Sequence, residues 1–342
     1  MGRGAIARAL DITHLGEALL RAQRAVGVPW ITAITYHSAA DTARAKLYDD
    51  GVVDTTKEQF DEQLAFYTRH FDVIGIDDLT RFVTKGEPLP KSPLLLTFDD
   101  GYIDNHDVVL PLLQKHGTRA TFFIATDYLA ERKLFWWDKI NFFVKSSKKD
   151  QIELQYPDVR VLPRADDKQV STAVRACLRI VKDTYDLDLE RFFQELARGC
   201  DVSLSSKEER HLADGMLMTW DHVRALRRAG MDVQSHTASH RVLQTLSPER
   251  LKDELVQSKR VLEDVLREPV VAVSYPVGKP LTYFPAIRRA VRDAGYVMGF
   301  SNASGVSTRW TFDPMDIRRL GAFYDYTDRE FRGFMAVPWF SP

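Results

Sequence analysis

The sequence lacks three features that would indicate a transmembrane, a disulfide-rich or a nucleic-acid-binding protein. No run of 18 or more apolar residues occurs among its 342 residues, so we expect no membrane-spanning segment. Only two cysteines are present, Cys177 and Cys200, and they predict buried thiols in a reducing compartment. The formal net charge is −1 and no basic stripe occurs, which argues against nucleic acid as a partner.

The N-terminal segment 1–29 also lacks a continuous apolar core and a small-residue cleavage site, so it is not predicted to be a secretory signal. Its pattern predicts an amphipathic helix, with Leu15 and Leu19 on one side and Arg21 and Arg24 elsewhere. We expect this helix to pack on its own domain or to contact the inner face of a membrane peripherally. The expected location is the cytoplasm.

Short apolar strands alternate with capped helices over residues 30–342, a pattern typical of βαβ units in one α/β domain. Near-continuous apolar strands indicate a parallel sheet that is covered on both faces. The predicted strands are 30–37, 71–76, 93–98, 119–125, 231–235, 270–275, 296–301 and 317–323.

The segment 131–214 interrupts this alternation, because it is richer in charge and begins with the aromatic stretch LFWWDKINFF. It predicts two helices, at 168–184 and 187–199. We expect an insertion that packs over one end of the sheet.

Polar residues follow four of the predicted strands. Asp99 and Asp100 follow 93–98, and His37 ends the first strand. The dipeptides Ser235-His236 and Tyr275-Pro276 end two later strands. Because the carboxyl ends of parallel strands meet at one edge, we expect these residues at a common site.

His236 and His240 are four residues apart, so a helical turn after the strand would direct both imidazoles the same way. Two imidazoles and one carboxylate, with an open fourth position, form the ligand set of catalytic zinc. One carboxylate of the adjacent pair would bind the metal, and the other would accept a proton from metal-bound water.

The chain resembles the polysaccharide deacetylases of the NodB-like family, carbohydrate esterase family four. Three stretches are similar to the family's motifs: TFDDG at 97–101, SHTASH at 235–240 and SYPVG at 274–278. The resemblance covers about 30–130 and 215–323. It implies an irregular (β/α)7-type barrel, here with a helical insertion.

The resemblance also implies a function and a set of site residues. The implied reaction is metal-dependent hydrolysis of an N-acetyl group on an amino sugar of a glycan or glycan precursor. Asp99 is implied as the general base, and Asp100, His236 and His240 are implied as ligands of a divalent metal. Zinc is preferred for these ligands, and cobalt and nickel suit them also. A backbone N–H near Tyr102 is implied as an oxyanion donor.

The sequence departs from the family pattern at two positions. Many members have an arginine in the third motif that contacts the base, whereas this chain has Ser274. Many members also have a C-terminal histidine as general acid, whereas no histidine follows His240 here. We expect Arg319 on the last strand to contact Asp99, and His37 to replace the missing acid.

Aromatic residues near the motifs are candidates for binding the sugar. They are Tyr102, Tyr275 with Pro276, and Trp136 and Trp137 at the start of the insertion. Two other functions remain open at this point: an amide hydrolase acting on a non-sugar substrate, and a catalytically impaired barrel that binds a saccharide. The sequence indicates neither the particular sugar nor the oligomeric state.

Overall fold

The computed structural model describes residues 15–39, 48–278, 284–321 and 327–340. No helix in these four ranges has the length and apolar character needed to cross a membrane. The described strands are β1 Trp30–Tyr36, β2 Asp72–Val73, β3 Pro93–Phe98, β4 Thr121–Ile124, β5 Gln151–Leu154, β6 Arg160–Pro163, β7 Asp232–Ser235, β8 Ala272–Ser274, β9 Met298–Phe300, β10 Ser307–Thr308 and β11 Leu320–Gly321.

The described α-helices alternate with these strands on the barrel and also build much of the insertion. They are α1 Leu15–Val26, α2 Lys57–His70, α3 Ile76–Lys85, α4 Leu110–Lys115, α5 Thr126–Glu131, α6 Trp136–Ser146, α7 Asp167–Asp183, α8 Leu189–Cys200, α9 Ser206–Asp214, α10 Trp220–Arg228, α11 Pro248–Leu266, α12 Pro285–Asp293 and α13 Asp328–Ala336. A π-helical turn, Asn105–Val109, precedes α4.

Eight of the described strands pair in parallel. Seven of them form a curled sheet in the order β11, β1, β3, β4, β7, β8, β9, and the short β2 pairs with β3. The segment 317–321 joins the two ends of this sheet. Ile317 pairs with Phe300 of β9, and Leu320 pairs with Ile34 of β1. The predicted α/β class and irregular (β/α)7-type barrel are confirmed.

The two faces of β3 explain how the sheet positions the acidic pair. Leu94, Leu96 and Phe98 pack in the large apolar cluster that includes the surrounding helices. Leu95 packs in a second cluster with side chains from the other barrel strands. Because side chains alternate along a strand, Asp99 continues the face of Leu95 and its carboxylate is directed into the barrel.

One predicted strand is shorter than expected and is followed at once by a helix. Residues 71–76 were predicted to be a strand, but β2 covers only Asp72–Val73 and α3 begins at Ile76. The carboxylate of Asp78 accepts a hydrogen bond from the Gly75 N–H, which caps α3. This cap starts the helix within a β-branched stretch, because tertiary contacts and capping outweigh local strand propensity.

The helix α1 covers the second half of the predicted N-terminal amphipathic helix, and residues 1–14 lie outside the described residues. Leu20 is buried in the main core, and Gln23 donates a hydrogen bond to the Ala336 carbonyl. Arg24 forms an ion pair with Asp72 at the barrel. Part of the apolar side of α1 therefore packs on the domain to which the helix belongs. Membrane contact and the cytoplasmic location stay predictions.

The insertion 131–214 contains α6 to α9 and the antiparallel hairpin β5–β6. Its two predicted helices correspond to α7 and α8, whereas α6, α9 and the hairpin were not predicted. Its apolar core includes Cys177 and Cys200, which are free and buried, and burial raises the pKa of both thiols to about 12. Tyr102 from the barrel packs in the same core, so the insertion is joined to the carboxyl end of the sheet.

Candidate active site

Residues that follow four parallel strands meet at one edge of the barrel. Asp99 and Asp100 follow β3, and His37 follows the adjacent β1. His236 follows β7, and Tyr275 follows the adjacent β8. This edge is where sites of α/β barrels form, because the strand ends and their loops converge there.

Asp100, His236 and His240 form a buried cluster at this edge. Asp100 Oδ1 lies 3.4 Å from His236 Nε2 and 3.5 Å from His240 Nε2. The candidate ligand atoms of the three residues all lie within 4.8 Å of one another. In a tetrahedral site with bonds of about 2.0–2.2 Å, ligand atoms are about 3.3–3.5 Å apart. The spacing therefore suits one divalent cation.

The hydrogen bonds of His236 show why a cation fits there. Its Nδ1 lies 2.9 Å from the Ser274 carbonyl oxygen and donates to it, so in the neutral imidazole, the form that binds a metal, Nε2 has the lone pair. That lone pair faces Asp100 Oδ1, which is buried and has no hydrogen-bond partner within the described ranges. With the imidazole in this neutral form, two acceptor atoms face each other. A metal ion satisfies this arrangement, and a carbonyl partner for the distal nitrogen is typical of metal-binding histidines.

The two histidines do not lie on a helical turn, as the sequence had suggested. Residues 236–240 form a non-helical turn, and Thr237 and His240 have positive φ values of 68° and 53°. Asp100 also has a positive φ, 75°. Such backbone is costly for residues other than glycine and concentrates at functional sites. The backbone of the turn, not helical periodicity, brings both imidazoles together.

Asp99 is paired with Arg319 in the barrel interior. Arg319 donates two hydrogen bonds of 2.8 Å, one to each carboxylate oxygen, and neither side chain is more than 1% exposed. Ser274 donates to Asp99 Oδ2 at 3.0 Å and accepts from Arg319 at 2.8 Å. Burial alone would raise the pKa of Asp99. The charge and hydrogen bonds of Arg319, together with the charges of His236 and His37, outweigh burial and keep that pKa well below its usual range.

This contact explains the serine that replaces an arginine in the third motif. Ser274 is small, and the Arg319 guanidinium lies directly against its hydroxyl. The arginine therefore reaches the carboxylate from the last strand instead of from the third motif. Arg318, the adjacent residue, is exposed.

His37 is paired with a carboxylate that the sequence analysis did not identify. Its Nδ1 lies 2.9 Å from Asp54 Oδ2, and its side chain remains 24% exposed. Burial lowers the pKa of His37, but the charge and hydrogen bond of Asp54, together with the charges of Asp100 and Asp99, outweigh this effect and raise it to about 10. Asp54 lies in a loop with no motif, so only the tertiary contact identifies it.

The five predicted sugar-binding residues are all buried. Trp136 and Trp137 are 2% and 4% exposed, because they pack in the insertion core and donate their indole N–H groups internally. Tyr275 donates to the Met315 carbonyl, and Pro276 is buried beside it. None of these four presents a face for a sugar ring. Tyr102 is also buried, but it lines a cavity.

That cavity, of about 540 Å³, lies between the barrel and the insertion. Its lining includes Ser38 next to His37, Tyr48, Tyr102 and Met216. Asp138 lies in its wall, where its two oxygens accept hydrogen bonds from the Tyr102 hydroxyl and the Asp49 N–H.

A pH-dependent stability is expected from Asp138, because burial raises the pKa of its carboxyl to about 7. The unfolded carboxyl ionises near pH 4 and the folded one near pH 7, so wild-type stability falls as the pH rises over this range. Asp138→Asn does not titrate. Urea denaturation of metal-free protein measures the free energy of unfolding of both proteins. Between pH 4 and 7, the difference between Asp138→Asn and wild type should shift by up to about 4 kcal/mol in favour of the variant. A constant difference would contradict this.

Comparison with known proteins identifies the class to which this fold and site belong. The sequence model of the polysaccharide deacetylase family matches residues 86–187 and 196–299. The chain therefore belongs to the polysaccharide deacetylase family. A curated relative, YxkH of Bacillus subtilis (strain 168), carries the same family name and is 18% identical over 254 residues. That match covers 74% of this chain and 60% of the length of YxkH.

Solved structures share the fold at low sequence identity. The deacetylase PplD of Streptococcus pyogenes has a TM-score of 0.58 and 17% identity, covering 90% of this chain and 98% of PplD. IcaB from Ammonifex degensii has a TM-score of 0.54 and 14% identity, covering 91% and 98%. The BpsB deacetylase domain of Bordetella bronchiseptica has a TM-score of 0.51 and 16% identity, covering 87% and 98%.

Proposed function

We propose that this protein removes an N-acetyl group from an amino sugar of a glycan or glycan precursor. The observation that carries the proposal is the cluster of Asp100, His236 and His240 beside the buried Asp99–Arg319 pair. Family membership supports the same reaction. The solved structure of PplD is a complex with acetate, which is the acid that such a reaction releases.

Asp100, His236 and His240 would hold the divalent metal, with zinc preferred by its ligand types and cobalt or nickel as alternatives. When bound, such a metal polarises a carbonyl oxygen and lowers the pKa of water. The buried position of all three residues limits competing solvent and keeps the carboxylate and imidazoles in one geometry.

Asp99 is the proposed general base. Its Oδ2 lies 3.6 Å from His236 Nε2, so the carboxylate adjoins the ligand cluster. Arg319 and Ser274 donate three hydrogen bonds to it, and a carboxylate has about four acceptor positions. One position therefore remains for a reacting water. The charge of Arg319 keeps Asp99 ionised, which a base requires.

The Tyr102 amide follows the acidic pair and is the donor proposed for the developing oxyanion. No described residue accepts a hydrogen bond from this N–H. The adjacent amide of Ile103, by contrast, donates to the Met216 carbonyl. A free donor beside the carboxylates is available to the substrate.

The leaving group of deacetylation is an amine, which must be protonated as it departs. His37 is the proposed donor, because it ends the strand next to β3 and its pair with Asp54 favours the protonated imidazole. The sugar would occupy the cavity that adjoins Ser38 and Tyr102. The mixed aromatic and carboxylate lining of this cavity suits a ring with hydroxyl groups.

His37→Gln should lower kcat by 10-fold or more and remove the alkaline limb of its pH profile. Asp54→Asn should keep the acid but lower its pKa, which moves the alkaline limb to lower pH. Both are read from pH profiles of kcat with saturating metal. An unchanged rate and pH profile in His37→Gln would exclude His37 as the proton donor and indicate Asp99 as the donor instead.

The function is tested by measuring acetate released from N-acetylated oligosaccharides after loading with Zn²⁺, Co²⁺ or Ni²⁺. Release that requires metal and is lost in Asp99→Asn supports the proposal. Saccharide binding without release would instead indicate an impaired barrel, and release only from non-sugar amides would indicate a different hydrolase.

A further inference from the structure

The two metal-binding histidines are oriented in different ways. His236 donates from Nδ1 to the Ser274 carbonyl, which fixes its ring. The Nδ1 atom of His240 is buried and has no hydrogen-bond partner among the residues that the structure describes. Histidine ligands are normally oriented by a partner on this nitrogen. Something other than its own ring nitrogen must therefore orient His240.

The main chain before His240 is bound to a carboxylate on α11. Glu254 Oε2 accepts hydrogen bonds from the N–H groups of Ala238 at 3.0 Å and Ser239 at 2.8 Å. The Ser239 hydroxyl also donates to this carboxylate. Glu254 is only 9% exposed. Three donors on one buried carboxylate stabilise the turn that contains two left-handed residues.

The main chain of His240 itself is bound by the insertion. The Trp136 indole donates to the His240 carbonyl oxygen at 3.0 Å. The Trp137 ring lies against the imidazole, with centroids 4.5 Å apart and planes at 60°. Both tryptophans belong to α6, so the insertion contacts a metal ligand through its backbone and its ring.

We propose that Glu254 and Trp136 are positioning residues that together fix His240 for metal binding, through the backbone of the turn. The inference rests on the proposed function only in taking His240 as a ligand. It gives the insertion a part in the metal centre, in addition to packing over the barrel. It also explains why the Trp136 indole N–H donates to a backbone carbonyl within the protein.

The test measures Zn²⁺ affinity of the full chain by competition with a chromophoric chelator. Glu254→Gln and Trp136→Phe should each weaken Zn²⁺ binding by about 10–100-fold, the range typical of residues that orient metal ligands. The matched control is Glu263→Gln on the same helix, where the carboxylate accepts from the Val270 N–H and from Lys259 far from the turn. Its Zn²⁺ affinity should match wild type.

The outcomes separate this inference from the proposed function. If wild type binds none of Zn²⁺, Co²⁺ and Ni²⁺, the proposed function fails. If wild type binds one of these metals and both variants bind it equally well, the positioning role is overturned. Should Glu254→Gln unfold without metal, Trp136→Phe decides alone, because it removes the N–H donor and keeps an aromatic ring in the insertion core.

Discussion

Replacing Asp99 by Asn should leave metal binding near the wild-type level and lower kcat by about 10²–10⁴-fold, the effect of losing a general base. The amide keeps an oxygen for Arg319 and Ser274 but cannot take a proton from water. Metal content by atomic spectroscopy and acetate release at saturating metal measure the two effects separately.

Asp100→Asn is the matched comparison, because its carboxylate oxygen faces both imidazoles. This variant should lose metal at concentrations that saturate wild type, and added metal should restore part of its rate. If Asp99→Asn loses the metal and Asp100→Asn retains it, the roles of the two carboxylates are reversed.

Replacing Arg319 by Met should destabilise the fold by about 3–5 kcal/mol, because it leaves the buried Asp99 carboxylate without its cation. Activity should fall together with stability, since the base loses both its charge partner and its orientation. Urea denaturation at pH 7 measures the first effect, and kcat of the folded protein measures the second.

Two controls sharpen this prediction. Arg318→Met changes an exposed neighbour and should alter the free energy of unfolding by less than about 0.5 kcal/mol. The double variant Arg319→Met with Asp99→Leu removes both charges and should be less destabilised than the sum of the single changes. Additive losses would show that the pair is not coupled.

The sequence could predict which residues meet at the site where those residues directly follow a strand. Asp99, Asp100 and His236 follow apolar strands directly, and parallel pairing brings such ends together. His240 was identified by its spacing, but the helical turn assumed for it was wrong, since left-handed backbone at Thr237 has no signal in residue type.

Other partners could not be predicted, because they depend on contacts between distant parts of the chain. Asp54 lies 17 residues from His37, and Glu254 lies on a helix after the turn that it stabilises. Trp136 and Trp137 were candidates for binding the sugar, with burial in the insertion core as the alternative. Their position in sequence does not decide between the two, and the structure buries both.

The pairing of Asp99 with Arg319 has a consequence for synthesis of the chain on the ribosome. The two residues are 220 positions apart, and Arg319 lies in the segment that joins β9 to β1. A nascent chain that has exposed the acidic pair and both histidines still lacks the cation for its buried carboxylate. The proposed catalytic residues are therefore completed only when the last barrel segment has left the exit tunnel, so chains truncated before residue 319 should be both inactive and poorly folded.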